Sequence, residues 1–551
     1  MATTDNMIPE TSVKLSLARG LRRDGTTIGL LFASLTGIVG SGWLLGPMET
    51  AQVAGPYGVW SWAIGGILIL SLALCYAELG PLIPRSGSAV HISRVGNGPM
   101  LAMVWTWILF LGYVTTAPTE VVAIVTYANN YIPGLLAVHS SLLSGLGFIV
   151  SAGLMMLLAA INLLRIGTIL NVSRALMVVK LIIPLLTIVL FLSFAFHPEN
   201  LHVAADHHAT YMQGMFSSIA TTGIVFSYLG FRQAVELGGE AKRPQVSVPV
   251  GVIFSVVTAI IIYVALQYAF LLGVDPKYVA QKGWENISFP GINGPFAAIA
   301  GMIGLGWLGY LLYADALVSP AGTAMMYTTT SSRITMAIGE LYPKKPTGNL
   351  RTINKTGTPF IAVLAVVAVG LLFLIPFPSW QKMTTYVASV TSLSYGLGPV
   401  VLLQMRRAAP DVHRPFRLWG ASIIAPFAFI AANLIIFWSG VQTLDFLFGM
   451  LLLFLLLAIA WFYITKRNRE LSFGWKYGWW LVPYFGGMWV LTKLGPSSAV
   501  GGIGWISFYW DMAFVALYSL FILWLALRCA VPHEESRAYL EQLGKMPDLG
   551  V

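Results

Sequence analysis

The chain has 551 residues, of which 57% are hydrophobic and only 10% carry a charge, against about 25% charged in an ordinary soluble domain. With a mean hydropathy of +0.76, these figures exclude a soluble globular fold, a disordered chain and, despite the net charge of +10, a nucleic-acid binder. Apolar runs longer than about 18 residues recur along the chain and read as membrane spans, so the fold class is an all-α integral membrane protein.

Residues 1–26 are polar, with Lys14, Arg19, Arg22 and Arg23, and read as a cytoplasmic segment without a cleavable leader. Spans follow near 28–53, 57–82, 99–131, 141–163, 169–196, 212–236, 247–272, 303–331, 358–376, 384–405, 421–441, 446–465, 478–494 and 508–530, about fourteen in all. The thirteenth is short and holds Pro483 and a glycine pair, so an interfacial or re-entrant segment competes with a full crossing there. Residues 531–551 form a tail. Cys75 lies inside one apolar run and Cys529 at the end of another, which predicts neither a disulfide framework nor a thiolate metal site.

Basic residues test this count. With the N-terminus in the cytoplasm and the spans alternating, the loop lysines and arginines fall inside except Lys277, Lys282, Lys382 and Lys493. That asymmetry is the one membrane insertion selects. It predicts both termini in the cytoplasm and an even number of spans. Lys180 and Arg232 remain, and both lie within spans.

Two spans look interrupted. Gly37-Ile38-Val39-Gly40-Ser41-Gly42 sits at mid-depth in the first, where three glycines in six residues disfavour a continuous helix. Phe226-Ser227-Tyr228-Leu229-Gly230-Phe231-Arg232 is its counterpart in the sixth. Close helix packing by small residues is the competing explanation. Breaks at matching positions of two halves point to a transport site instead. Half-helix amides attract a carboxylate and freed carbonyls attract an ammonium, which suits a zwitterionic amino acid.

Further motifs carry a family resemblance. Cys75-Tyr76-Ala77-Glu78-Leu79-Gly80-Pro81-Leu82-Ile83-Pro84-Arg85-Ser86-Gly87 resembles the end of the second helix in the amino acid–polyamine–organocation superfamily. Gly37 to Gly42 resembles that family's break in helix one, and Gly230-Phe231 with Gly239 to Gln245 and Pro249 resembles its sixth helix and exit. Ser332-Arg333 resembles the end of helix eight. The resemblance runs from about residue 25 to 465, and within the superfamily it is nearest in type to bacterial aspartate–proton symporters. It implies an inverted five-helix repeat fold with discontinuous helices 1 and 6. The transport core would be 27–405, as repeats 27–196 and 212–405, followed by helices 11 and 12 (406–470), two added spans (471–530) and the cytoplasmic tail.

Carried over by position, the resemblance puts a substrate carboxylate at the amides of Gly40, Ser41 and Gly42. It puts the substrate ammonium at carbonyls near Gly37, Ile38 and the Phe226–Tyr228 stretch, with Val39 also in the substrate site, Phe226 closing over the substrate and Gly230 at the helix-six break. Lys180 matches the lysine that stands in for a sodium ion in proton-coupled members; snorkelling to headgroups is its alternative. Glu120 and Asp315 are further candidates for the proton, and Glu78 is expected to pair structurally near the inner end.

Arg232 departs from the pattern. Its planar fork suits a side-chain carboxylate, which would make the substrate acidic, and an internal pair with Glu236 one turn away is the equal alternative. His197, His202, His207 and His208 crowd one outer loop with Asp206, and that spacing reads as a solvated loop before a metal site. Neither HExxH nor GxSxG occurs, so no enzyme, cofactor or metal is expected. The expectation is a secondary active carrier for aspartate or glutamate, coupled to protons and embedded in the lipid bilayer. An exchanger or neutral amino acid carrier is the alternative, and a channel or nutrient sensor a weaker one. Trp475, Trp479, Trp480, Trp489, Trp505 and Trp510 fit an interfacial belt.

Overall fold

The computed structural model describes residues 23–138, 140–203, 207–289, 294–342, 347–375, 379–464 and 475–545. Lys14, Arg19, Arg22, Asp206 and the last six residues of the tail lie outside them. Among the described residues the regular structure is helical, with isolated bridges and no strand. A helix lies at each of the fourteen predicted spans. Among the described residues, eight helices are long and apolar enough to cross a bilayer, with shorter apolar ones at Thr27–Ile38, Phe360–Phe373 and Val441–Leu457.

The first span is two helices, Thr27–Ile38 and Gly42–Ala54. The sixth is three pieces, His208–Thr221, Ile224–Tyr228 and Gln233–Glu236. Thr26 caps the first helix by accepting from the Gly29 amide, which removes one orphan donor at that end. The interruptions cross one another. Gly230 adopts φ +119°, and a Cβ there would lie 2.6 Å from the carbonyl carbon of Gly37 and 2.7 Å from the Ile38 nitrogen. Only glycine meets both the backbone conformation and the close approach. Ser34 ties the crossing together: its hydroxyl donates to the Phe231 carbonyl at 3.1 Å and accepts from the Ala234 amide at 3.1 Å.

The eighth span runs Gly306–Leu341, 36 residues, ten past the predicted end. The polar stretch Thr328-Thr329-Thr330-Ser331-Ser332 lies within this helix, and all of it is buried. The hydroxyls of Thr328, Thr329 and Thr330 bond back to carbonyls of the preceding turn at 2.8–3.0 Å. Such back-bonding satisfies the hydroxyls inside the helix itself.

The thirteenth span is a 14-residue helix, Leu481–Leu494. At 1.5 Å per residue it reaches about 21 Å, short of the ~30 Å hydrocarbon core. It is anchored through its side: Tyr484 donates to Asn433 of the eleventh span at 2.6 Å, and Asn433 donates to Ser519 of the fourteenth at 2.9 Å. Trp480 departs from the belt reading. It is fully buried against Trp105 and Tyr484, whereas Trp479, Trp489, Trp505 and Trp510 are exposed.

The arginine-rich end of the bundle is closed by ion pairs that join three of the sequence motifs. Arg333 at the end of the eighth span donates to Glu240 at 2.9 Å, and Ser86 donates to the same carboxylate at 3.3 Å. Glu78 accepts from Arg406 at 2.6 Å, from Arg414 at 3.1 Å and from the Leu418 amide at 2.7 Å. The structural pairing expected of Glu78 is thus present.

Candidate substrate and coupling site

The break in the first span lies between Ile38 and Gly42, so the non-helical backbone is Val39, Gly40 and Ser41. A helix end leaves its last carbonyls and first amides without intrahelical partners. In the apolar interior those groups need partners from elsewhere. The structure supplies them from four other spans.

Lys180 of the fifth span takes the carbonyl side. It is fully buried, and its ammonium donates to the Thr36 carbonyl at 2.9 Å, the Val39 carbonyl at 2.5 Å and the Thr323 hydroxyl at 3.0 Å. Thr323 of the eighth span reaches the same two carbonyls at 2.7 and 3.1 Å. A single cation therefore sits where the carbonyl ends of the first half-helix converge. The snorkelling alternative does not describe this side chain, because it turns inward.

Glu120 of the third span takes the amide side. Its carboxylate accepts from the Ser41 amide at 2.9 Å. That span is itself interrupted at Thr115, between helices Ser88–Val114 and Thr116–Ala128. A methyl group on Gly40 would fall on the Glu120 carboxylate, and one on Gly42 would fall on the Ser227 hydroxyl. The glycines are thus the condition for side chains of the third and sixth spans to reach this backbone.

An aromatic cover closes the other side. Trp380 donates its indole N–H to the Ser41 hydroxyl at 2.8 Å and meets Phe226 edge to face, ring centroids 6.1 Å apart. Both rings are buried. Tyr228 points away from the break and donates to the Trp62 carbonyl at 2.9 Å. Tyr263 of the seventh span donates to the Ile38 carbonyl at 3.0 Å. Asp315 lies two turns before Thr323 on the eighth span, with Ser319 between them donating to it at 2.9 Å. The residues Asp315, Ser319 and Thr323 line one helical face leading to Lys180.

Arg232 lies in a cage of its own. It pairs with Glu236 at 3.2 Å and donates to Tyr113 at 3.3 Å, Tyr76 at 3.2 Å and Ser394 at 2.9 Å. The guanidinium carbon stands 4.5–5.2 Å from the ring centres of Tyr395, Tyr113 and Tyr76. Glu236 also accepts from the Ala89 amide at 3.3 Å. Every face of the guanidinium has a protein partner in this conformation.

Of the predicted residues, the structure brings Gly37 to Gly42, Phe226, Gly230, Lys180 and Glu120 together, with Asp315 two turns along the eighth span. It sets Tyr228 and Arg232 to the side. Trp380, Thr323, Tyr263 and Ser34 were not among the predicted residues. Trp380 precedes the predicted start of the tenth span at 384, though its helix begins at Trp380 itself. The four-residue spacing of Asp315, Ser319 and Thr323 in an apolar helix was the legible signal for Thr323. At the start of the sixth span, His208 meets the Tyr57 hydroxyl at 2.6 Å. Among the described residues no three His, Cys, Asp or Glu side chains group as a metal site would need.

Comparison with known proteins agrees with this geometry. The chain is 34% identical over 516 residues to the glutamate/serine transporter AimA of Bacillus subtilis, covering 92% of this chain and 93% of that one. It is 32% identical over 508 residues to the aspartate-proton symporter of Bacillus subtilis, covering 91% and 96%. It is 24% identical over 466 residues to the branched-chain amino acid permease BcaP of the same organism, covering 82% and 95%. The amino acid permease family profile matches residues 26–494, which extends the resemblance from about 465 through the thirteenth span. With a matched profile over most of its length and a broken-helix site at its centre, the chain belongs to the amino acid permease family of the amino acid–polyamine–organocation superfamily.

Proposed function

We propose that the protein is a secondary active carrier that takes up an acidic amino acid with a proton by alternating access. The observation that carries this reading is the pair of charges on the helix-one break. Lys180 holds its carbonyls and Glu120 holds the Ser41 amide. That amide is the donor a substrate carboxylate would use, so Glu120 and the substrate compete for it. A protonated Glu120 is a weaker acceptor and releases the amide. Proton binding then prepares the substrate site, and proton release restores the closed break. Lys180 senses the same segment from the opposite side, so its charge and that of Glu120 act on one backbone turn.

The substrate assignment draws on the two relatives, whose names cite glutamate, serine and aspartate. The caged state of Arg232 favours a second reading beside it. With its guanidinium held by Glu236 and three tyrosines, the site has no free cation committed to a side-chain carboxylate, and a small neutral amino acid such as serine fits equally. The positive-inside asymmetry supports a cytoplasmic arginine-rich end, with residues 27–405 as the transport core.

The test is uptake of labelled aspartate, glutamate and serine into vesicles holding the purified protein, with and without an inward proton gradient. Gradient-stimulated uptake of aspartate or glutamate is expected. Glu120→Gln keeps the shape and an acceptor for the Ser41 amide. It is expected to retain exchange of internal for external substrate while losing the response to the gradient. Uptake that ignores the gradient in the unaltered protein would overturn the coupling.

A further inference from the structure

A cavity with charged and polar groups in its lining lies at the arginine-rich end, away from the helix-one break. It has a volume of about 310 Å³ and is lined by Gly96, Gln404, Arg407, Arg528, His533 and Ser536 among others. Its walls come from three places. Arg407 is in the last turn of the tenth span, Trp380–Ala408, and Arg528 ends the fourteenth, Phe508–Arg528. His533 and Ser536 belong to the tail helix His533–Lys545.

The walls are fastened. Ser536 donates to the Val95 carbonyl at 2.8 Å, and the Val531 amide donates to the Gly96 carbonyl at 3.3 Å. Gln404 donates to Asn97 at 3.1 Å and to the Ala526 carbonyl at 3.2 Å. The tail is held further by Arg85 donating to the Leu543 carbonyl at 3.1 Å. The cavity therefore belongs to the fold and depends on the docked tail.

Its charge is unbalanced. The neighbouring Arg406 and Arg414 share Glu78, and Arg537 pairs with Asp411 at 3.2 Å. Neither Arg407 nor Arg528 has a carboxylate within ion-pair reach among the described residues. Glu534 and Glu535 stand in the first turn of the tail helix but do not line the cavity. Two guanidiniums and an imidazole thus face a space at the lower end of ligand-pocket size, and the guanidinium fork matches phosphate geometry.

The surroundings identify the source of the phosphate. Both arginines end membrane spans, so they lie at headgroup depth. Trp524, one turn before Arg528, is 53% exposed and stacks under the guanidinium at 5.4 Å. Tryptophan at that level marks the boundary between acyl chains and headgroups. Leu527 lines the cavity from the same turn. A basic pocket between spans on the cytoplasmic side is the arrangement that binds anionic headgroups.

We propose that Arg407, Arg528 and His533 form a binding site for the phosphate of an anionic phospholipid headgroup, seated between the tenth span, the fourteenth span and the docked tail helix. The fourteenth span and the tail thereby have a ligand of their own. It stands independently of which amino acid the carrier moves.

Native mass spectrometry of the full-length protein in detergent tests it, with phosphatidylglycerol and phosphatidylcholine added in turn. Phosphatidylglycerol is expected to be retained and phosphatidylcholine not. Arg407→Gln/Arg528→Gln is expected to weaken retention by roughly 30-fold, from the usual contribution of a surface arginine to anionic lipid binding. Arg407→Lys/Arg528→Lys keeps the charge and should keep most of the binding. Lys242→Gln/Arg243→Gln removes the same charge at the same end and should leave retention unchanged. Equal retention by the glutamine pair, or equal loss in the Lys242/Arg243 control, would overturn the site. Displacement of the lipid by millimolar inorganic phosphate would overturn the lipid as its occupant and assign the anion to solution.

Discussion

Arg232 decides between two accounts of substrate recognition, and its surroundings allow the choice to be made by energy. In the structure its charge is balanced by Glu236 at 3.2 Å, with both side chains buried. Removing one member of a buried pair strands the other, at a cost of about 3–5 kcal/mol. Arg232→Met should therefore destabilise strongly, because Glu236 keeps only the Ala89 amide. For a chain of this length unfolding as one unit, the usual specific entropy converts that cost to a lower transition by roughly 3–4 °C. Glu236→Leu alone should do the same from the other side. The double variant Arg232→Met/Glu236→Leu removes both charges, and such replacements are often neutral. Most of the lost stability should return, giving a coupling energy of about 2 kcal/mol or more in the cycle. Thermal unfolding in detergent measures the four proteins, and aspartate, glutamate and serine are titrated into each. If Arg232 is structural, the double variant is stable and its ligand-induced stabilisation is unchanged. A double variant that folds as well as the parent, binds serine and no longer binds aspartate or glutamate would refute the structural account. Arg232 would then be the side-chain reader.

The remaining predictions concern the break itself. Lys180→Met leaves the Thr36 and Val39 carbonyls with one Thr323 hydroxyl between them, so one acceptor is unpaired at about 1–3 kcal/mol; the thermal transition should fall and gradient-driven uptake should stop. Gly230→Ala places a methyl 2.6 Å from the Gly37 carbonyl carbon at φ +119°, and strain plus overpacking should cost about 2–5 kcal/mol, read as a lower transition and lost transport. Trp380→Phe keeps a ring against Phe226 but loses the bond to Ser41; a bond worth about 1 kcal/mol predicts a thermal transition lowered by roughly 1 °C in a chain of this length.

The fold was legible because its signals are local. Apolar runs place the spans, and glycine density places the breaks. The eighth span continues ten residues past its predicted end, and the hydroxyls of its polar stretch are satisfied by carbonyls of the preceding turn. The site was legible in its backbone and only partly in its side chains. Gly37 to Gly42 and Gly230 declare themselves, since no other residue tolerates that crossing. Partners such as Tyr263 and Trp380 come from spans more than 200 residues away, and nothing in a single sequence states which of its many aromatics turns inward. Arg232 shows the limit most sharply. Its Glu236 partner follows from helical spacing, but the tyrosine cage that completes it is assembled from the second, third and tenth spans.

The distribution of partners around the first span also says where force is applied during transport. Its two halves are joined by Val39, Gly40 and Ser41 alone. Lys180 and Thr323 grip the carbonyls entering this link, Glu120 and Trp380 grip the amide and hydroxyl leaving it, and Gly230 bears on it from the sixth span. These contacts come from the third, fifth, sixth, eighth and tenth spans, so the link cannot turn without disturbing groups in both halves of the bundle. A rigid helix would pass such a motion through its whole length. A three-residue link confines it to a few dihedral angles, with the Val39 carbonyl held by Lys180 at one end and the Ser41 amide held by Glu120 at the other. On the proposed coupling, the polar groups that membrane burial makes costly to leave unpaired are the same groups whose exchange of partners changes the conformation. A change of one charge at Glu120 or Lys180 would then be enough to bias the carrier.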